Sequence, residues 1–167
     1  MIEYYTFKHR GDALDYTDEI FLRLVPDLTV AIFYGSKISS APKSQALLFS
    51  EILNSEEGSK SIDYLASVFE ECLDEGSEYL ILKVLKNGVE CFRRGEVYAK
   101  IIKDGQILLL PNGFFGMSPD DRIVSHIHAD QNATGIARTI KYGVRASKNA
   151  KQDNYSAVVI KMNRSFV

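Results

Sequence analysis

The sequence predicts an α+β fold in which antiparallel strands come in groups and helices come in pairs packed on sheet faces. Two observations lead there. Short apolar runs rich in Val, Ile, Leu, Tyr and Phe are joined by Pro-Asp, Asn-Gly and Asp-Gly, which are turn and hairpin signals. Between these groups, tandem segments carry apolar residues at helical spacing instead of alternation. The number of strands calls for two sheets. At 167 residues the chain fits one domain, residues 1–167, with a sizeable core.

The elements follow in order. Glu3–Lys8, rich in Tyr, Thr and Phe, is a first strand, and Gly11–Thr17 is a loop. Glu19–Val25 alternates Ile20, Leu22 and Leu24 against Phe21 and Arg23. Pro26-Asp27 then turns the chain into the more apolar strand Leu28–Tyr34, making a hairpin. Gly35–Ser40 is a loop. Pro42 suits a first helical turn, and Ala46, Leu47, Phe49, Ile52 and Leu53 make Pro42–Ser55 an amphipathic helix. After the polar break Glu56–Lys60, Ser61–Asp74 repeats the pattern through Ile62, Leu65, Val68, Phe69 and Leu73. Glu75-Gly76 ends it.

Three strands come next: Glu78–Leu85, Val89–Arg93 after Lys86-Asn87-Gly88, and Val97–Lys103 after Arg94-Gly95-Glu96. Asp104-Gly105 turns into Ile107–Leu110. Pro119–Ala129 carries Ile123, Val124 and Ile127 at helical spacing. Asn132 or Thr134 caps a last helix, Gly135–Ser147, with Ile136, Ile140 and Val144 inward. Asn154–Met162 is the final strand.

Composition excludes several classes. A net charge of −2 gives no electrostatic case for nucleic acid or an anionic membrane. No run reaches the roughly 18 apolar residues of a membrane span. The start Met-Ile-Glu-Tyr-Tyr-Thr-Phe-Lys has neither the basic nor the apolar region of a signal peptide, so a cytoplasmic protein with reduced thiols is expected. Cys72 and Cys91 have no CxxC spacing and make no zinc motif. Cys72 falls on the apolar side of its predicted helix, as a small buried hydrophobe. No Gly-rich phosphate loop or GxSxG elbow is present, and His9, His126 and His128 have no partner at ligand spacing.

Ile107–Gly116 is the most informative stretch. Four apolar residues run into Pro-Asn-Gly, and Met117–Asp121 follows as a helix entry. Strand, tight turn and helix start make a common place for a metal or phosphate. A carboxylate at position 112 would favour a metal, but the residue is Asn112.

Three segments, in this order, resemble the metal-dependent protein phosphatases of type 2C. In the N-terminal hairpin, Asp18 fits the family's first Asp, and Tyr34 stands in place of the Asp before Gly35. In Leu108–Ile123, Asn112 stands in place of the Asp before Gly113. Ala146–Ile160 carries Asp153-Asn154 ahead of a β-branched strand, as the family does. Arg94–Tyr98 is a fainter match to a family hairpin. The resemblance spans nearly the whole chain in element order. The long family segment between the equivalents of Gly105 and Ile107 is essentially absent, so this is a minimal version. The resemblance implies a four-layer αββα sandwich, two antiparallel sheets flanked by helix pairs.

It also implies a site of two Mn²⁺ or Mg²⁺ ions whose bridging water attacks a phosphoryl group. Hard cations take oxygen ligands, and two of them side by side need several carboxylates to offset their repulsion. Here the corresponding positions hold Tyr34, Asn112 and Asp153, with Asp18 nearby. A phenol, with a pKa of about 10, is a poor Mg²⁺ ligand, and an Asn carbonyl carries no charge. The family's phosphate-gripping Arg is missing from Gly11–Thr17, and the nearest is Arg10. Tyr34 reads as a ring closing a former pocket and Asn112 as a turn residue. Asp18 reads as a loop carboxylate. Asp153 either braces the turn into the last strand or retains a metal.

The expectation is therefore a pseudophosphatase: a regulatory, protein-binding domain with no catalytic residues and no required cofactor. Its partner would be a protein, a phosphoprotein among the candidates, and neither nucleic acid nor a membrane. The alternative is an active minimal serine/threonine phosphatase with a reduced Mn²⁺ or Mg²⁺ site on Asp18 and Asp153.

Overall fold

The computed structural model describes residues 2–9, 19–24, 27–36, 42–85, 88–95, 97–102, 106–111, 127–128, 130–146 and 155–162. The chain divides into two compact units, Thr17–Val97 and a second made of Met1–Tyr16 with Tyr98–Val167.

The first strand, β1 (Ile2–His9), belongs to the second unit. The Thr17–Val97 unit begins with β2 (Glu19–Arg23) and β3 (Leu28–Ser36), followed by α1 (Pro42–Asn54). A 3₁₀ turn (Glu56–Ser59) leads to α2 (Ile62–Cys72), then β4 (Ser77–Leu85) and β5 (Gly88–Arg94). Its sheet runs β2-β3-β4-β5, with each neighbouring pair antiparallel. The β4–β5 pairing closes at Leu85↔Gly88, so the hairpin expected at Lys86-Asn87-Gly88 forms, with Gly88 already in the ladder.

One face of this sheet packs on α1 and α2. Phe21, Ala31, Phe33, Tyr79 and Ile81 meet Ala46, Phe49, Leu53, Ile62, Leu65, Phe69 and Leu73 in one buried cluster. On the other face Val30, Ile32, Leu80 and Leu82 are also buried, so β3 and β4 are covered on both sides. Ser61 caps α2 by accepting from the Tyr64 N–H at 3.3 Å, supplying one of the bonds a helix start lacks.

Two expectations about helix faces fail. Leu47 is 60% exposed, because Ala46, Phe49 and Leu53 define the inner line of α1 and Leu47 sits about 100° round the axis from Ala46. Cys72 is exposed as well. The buried line of α2 is Ile62, Leu65, Phe69 and Leu73. Cys72 is one residue short of that line, on the last helical turn, and so turns outward.

A row of polar residues crosses the helix-facing side of this sheet, aligned as Arg23↔Thr29↔Lys83↔Glu90. Lys83 is buried. Its Nζ donates to the carbonyls of Gly58 (3.3 Å) and Lys60, tying the 3₁₀ turn to the sheet. Burial pulls the Lys83 ammonium below its usual range, partly offset by Asp27 and Glu90.

The second unit holds β6 (Val97–Ile102), β7 (Gln106–Pro111), α3 (Ala133–Ala146) and β8 (Tyr155–Met162) beside β1. Its sheet order is β1-β8-β7-β6. β8 is antiparallel to both neighbours, and Val158, Val159 and Ile160 are buried at its centre. α3 packs on β1 and β8 through Ala133, Ile136, Ala137 and Ile140.

Asn132 caps α3, accepting from the Gly135 N–H at 2.8 Å; Thr134 lies inside the helix. Glu3 of β1 accepts from the Ala133 N–H at 3.2 Å, so a strand carboxylate meets the positive end of the helix. Lys161 of β8 donates to the Gln131 carbonyl, and Lys141 lies 5.2 Å from the Tyr5 ring centroid. These contacts fix the N-terminal end and the middle of α3 against its sheet.

The predicted helix Pro119–Ala129 lies outside the described residues except for Ile127 and His128, which are not helical. The reason is local. The His128 N–H donates to Gln131 Oε1 at 3.1 Å, and the Gln131 N–H donates back to the His128 carbonyl at 3.1 Å. That turn occupies the N–H that a continuing helix would use.

Candidate functional site

The candidate positions lie at or beyond strand ends. Asp18 directly precedes β2, Asn112 directly follows β7, and Asp153 precedes β8 by two residues. These three and Gly113 lie outside the described residues. Tyr34 and Gly35 belong to the end of β3.

Sheet pairing determines which of them are neighbours. In the Thr17–Val97 unit, β2 and β3 are antiparallel with Glu19↔Phe33 as the terminal pair. β2 therefore starts at the same sheet end where Tyr34 follows Phe33. In the other unit the β7–β8 ladder runs from Gln106↔Lys161 to Leu109↔Val158. The end of β7 therefore lies beside the start of β8. The start of β8 also pairs with the end of β1, His9↔Tyr155, and Arg10 follows His9 in sequence.

Tyr34 has a backbone peculiarity. Phe33 pairs with Tyr79 and Gly35 with Glu78, so Tyr34 is the extra residue of a β-bulge. Bulges re-aim a side chain or end a ladder, and they are frequent beside functional sites.

The same sheet end carries groups that sequence reasoning missed. Glu78, the partner of Gly35, is a buried carboxylate. Gly95, at φ +80°, leaves room for it: a Cβ there would come within 2.5 Å of Glu78 Cγ. Tyr79 pairs with Arg94, whose Nη2 donates to the Glu75 carbonyl at 2.5 Å. Burial holds the Tyr79 phenol above its usual range, with Arg94 drawing it back, so the phenol stays neutral and is no anionic ligand. The only sequence signal for Glu78 is a charged residue at the head of an otherwise apolar run.

By residue type, the four strand-end positions hold two carboxylates, at 18 and 153, with a phenol at 34 and an amide at 112; a neutral phenol and an uncharged amide do little for a pair of divalent cations. Among the described residues no group of three or more His, Cys, Asp or Glu is arranged to hold a metal ion. His128 is exposed and its backbone N–H is engaged by Gln131. Among the described residues no helix is long and apolar enough to cross a membrane.

No protein-family model and no curated protein sequence matches this chain. Solved structures do. A bacterial serine phosphatase matches with a TM-score of 0.77 at 10% identity, over 100% of both chains. The serine/threonine phosphatase Stp1 from Staphylococcus aureus matches with a TM-score of 0.75 at 11% identity, over 98% of this chain and 96% of its own. The catalytic domain of the serine/threonine protein phosphatase PstP, solved with two manganese ions, matches with a TM-score of 0.72 at 13% identity, over 97% and 98%. At such identities the likeness is one of fold, and this chain has the α+β fold of the protein phosphatase 2C type.

Proposed function

We propose that this chain is a pseudophosphatase: a phosphatase-2C-like domain that has lost metal-dependent hydrolysis and acts in the cytoplasm as a regulatory, protein-binding module. One observation carries the reading. At the ends of β3 and β7, where the fold type would have carboxylates, the residues are Tyr34 and Asn112. Two formal negative charges are absent. Without them, the repulsion between two divalent cations is not offset and a shared water is not acidified. A protein is the expected class of partner, a phosphoprotein among the candidates.

The reduced-site alternative has its own support in Asp18 and Asp153, and in the buried Glu78 opposite Gly35. Hydrolysis of p-nitrophenyl phosphate or a phosphopeptide with Mn²⁺ or Mg²⁺ separates the two. The proposal expects no turnover above the metal-free rate. Turnover that Asp153→Ala abolishes establishes the alternative instead.

A further inference from the structure

Among the described residues, strand β5 is paired on one side only. It is the last strand of the order β2-β3-β4-β5, and among the described residues nothing pairs with its outer edge. It is also open along its length: Gly88, Val89, Glu90, Cys91 and Arg93 are exposed, and only Phe92 and Arg94 are half-buried. Val89 is 40% exposed despite being apolar. Proteins commonly blunt such an edge with Pro, with charged side chains or by shortening the strand. β5 has seven residues and no Pro, and its charges, Glu90, Arg93 and Arg94, are of both signs, so they repel a partner strand only in some alignments.

The side chains follow a self-complementary order. Glu90, Phe92 and Arg94 share one face of the sheet, because they pair with Lys83, Ile81 and Tyr79 on the helix-facing side. A second β5 can be laid antiparallel to the first, with Phe92 at the centre. Glu90 then stands opposite Arg94 of the second copy, and Arg94 opposite Glu90 of the second copy. Phe92 faces its own counterpart. An opposite charge at each end and an aromatic pair in the middle are the cross-strand combinations that favour a ladder. Arg94 is half-buried: Nη2 donates to the Glu75 carbonyl and Nη1 is buried, so the pair with Glu90 of the second copy falls to the remaining guanidinium N–H groups.

We propose that β5 is a homodimerisation edge, where a second copy of this chain adds its own β5 to make a continuous eight-stranded sheet. The occupant is a second copy because the Glu-x-Phe-x-Arg order complements itself. Because the strand pairs with its own copy, the contact is isologous and closes at two chains. The inference does not depend on the loss of hydrolysis, since β5 contains none of the candidate site positions.

The test is sedimentation equilibrium over about a hundredfold range of concentration, with amide exchange of β5 followed at both extremes. The proposal expects a monomer–dimer equilibrium, with β5 amides slowing as dimer forms. Glu90→Arg sets like charges opposite each other at both ends and is expected to raise the dimer Kd by about tenfold or more. Mixing Glu90→Arg with Arg94→Glu chains restores one complementary alignment and is expected to recover association as a mixed dimer. Circular dichroism melts confirm that each variant is folded. A chain that stays monomeric throughout overturns the proposal, including the case where β5 accepts only another protein's strand. So does a dimer whose Kd ignores Glu90→Arg and whose β5 amides show no added protection.

Discussion

Replacing Phe49 by Ala is expected to cost about 3–5 kcal/mol, a large share of the roughly 5–15 kcal/mol that holds a typical domain. Phe49 is fully buried at the meeting point of α1, α2 and the β2-β3-β4-β5 sheet. Its ring stacks on Phe69 with centroids 4.8 Å apart, and lies 5.4 Å from Phe33 and 5.7 Å from Tyr79. Truncation removes a large apolar surface and three ring contacts together, and leaves a cavity that two helices and a sheet cannot all move to fill. Phe49→Leu keeps most of the volume and is expected to cost distinctly less. Urea unfolding checks both, through a shift in midpoint with an unchanged slope. A shift for Phe49→Ala no larger than that of a surface substitution would contradict the packing described.

Gly58→Ala is expected to cost about 2–4 kcal/mol, by a different route. A Cβ at position 58 would lie 2.0 Å from the Leu53 carbonyl oxygen and 2.8 Å from its carbon. Both are backbone atoms at the end of α1, so the 3₁₀ turn itself must shift. That turn presents the Gly58 and Lys60 carbonyls to the buried Lys83 ammonium. Moving them leaves a charge without its acceptors inside the protein. The mechanism predicts coupling: in a Lys83→Met background Gly58→Ala should cost measurably less than in the native chain. Additive effects in the double-mutant cycle would show that the clash alone accounts for the loss.

The parts of the fold that were legible in the sequence are those governed by local pattern. The tandem helices followed from Phe49, Leu53, Ile62, Leu65, Phe69 and Leu73 at helical spacing. The β4–β5 hairpin followed from Asn87-Gly88. The errors occurred where tertiary geometry chooses between neighbours. Leu47 and Cys72 are apolar and close to the inner line of their helices, yet the sheet meets only one stripe of each. The end of the predicted helix before Ala129 failed because a side-chain amide, Gln131, takes the N–H that the helix needed.

The candidate site divides in the same way. Strand ends before Asn112 and after Asp18 could be seen as apolar runs meeting turn residues. The bulge at Tyr34 could not, since it exists only as a mismatch between β3 and β4. Glu78 was missed for the same reason: its nearness to Gly35 is a property of register, and register is set by pairing between distant segments.

On the function proposed above, Tyr34 and Asn112 leave too little negative charge for a binuclear metal centre. Calorimetric titration of the native chain with Mn²⁺, set beside Asp153→Ala, decides it. No tight binding to the native chain and no difference between the two proteins are expected. Saturable, tight uptake of Mn²⁺ that disappears in Asp153→Ala would contradict it.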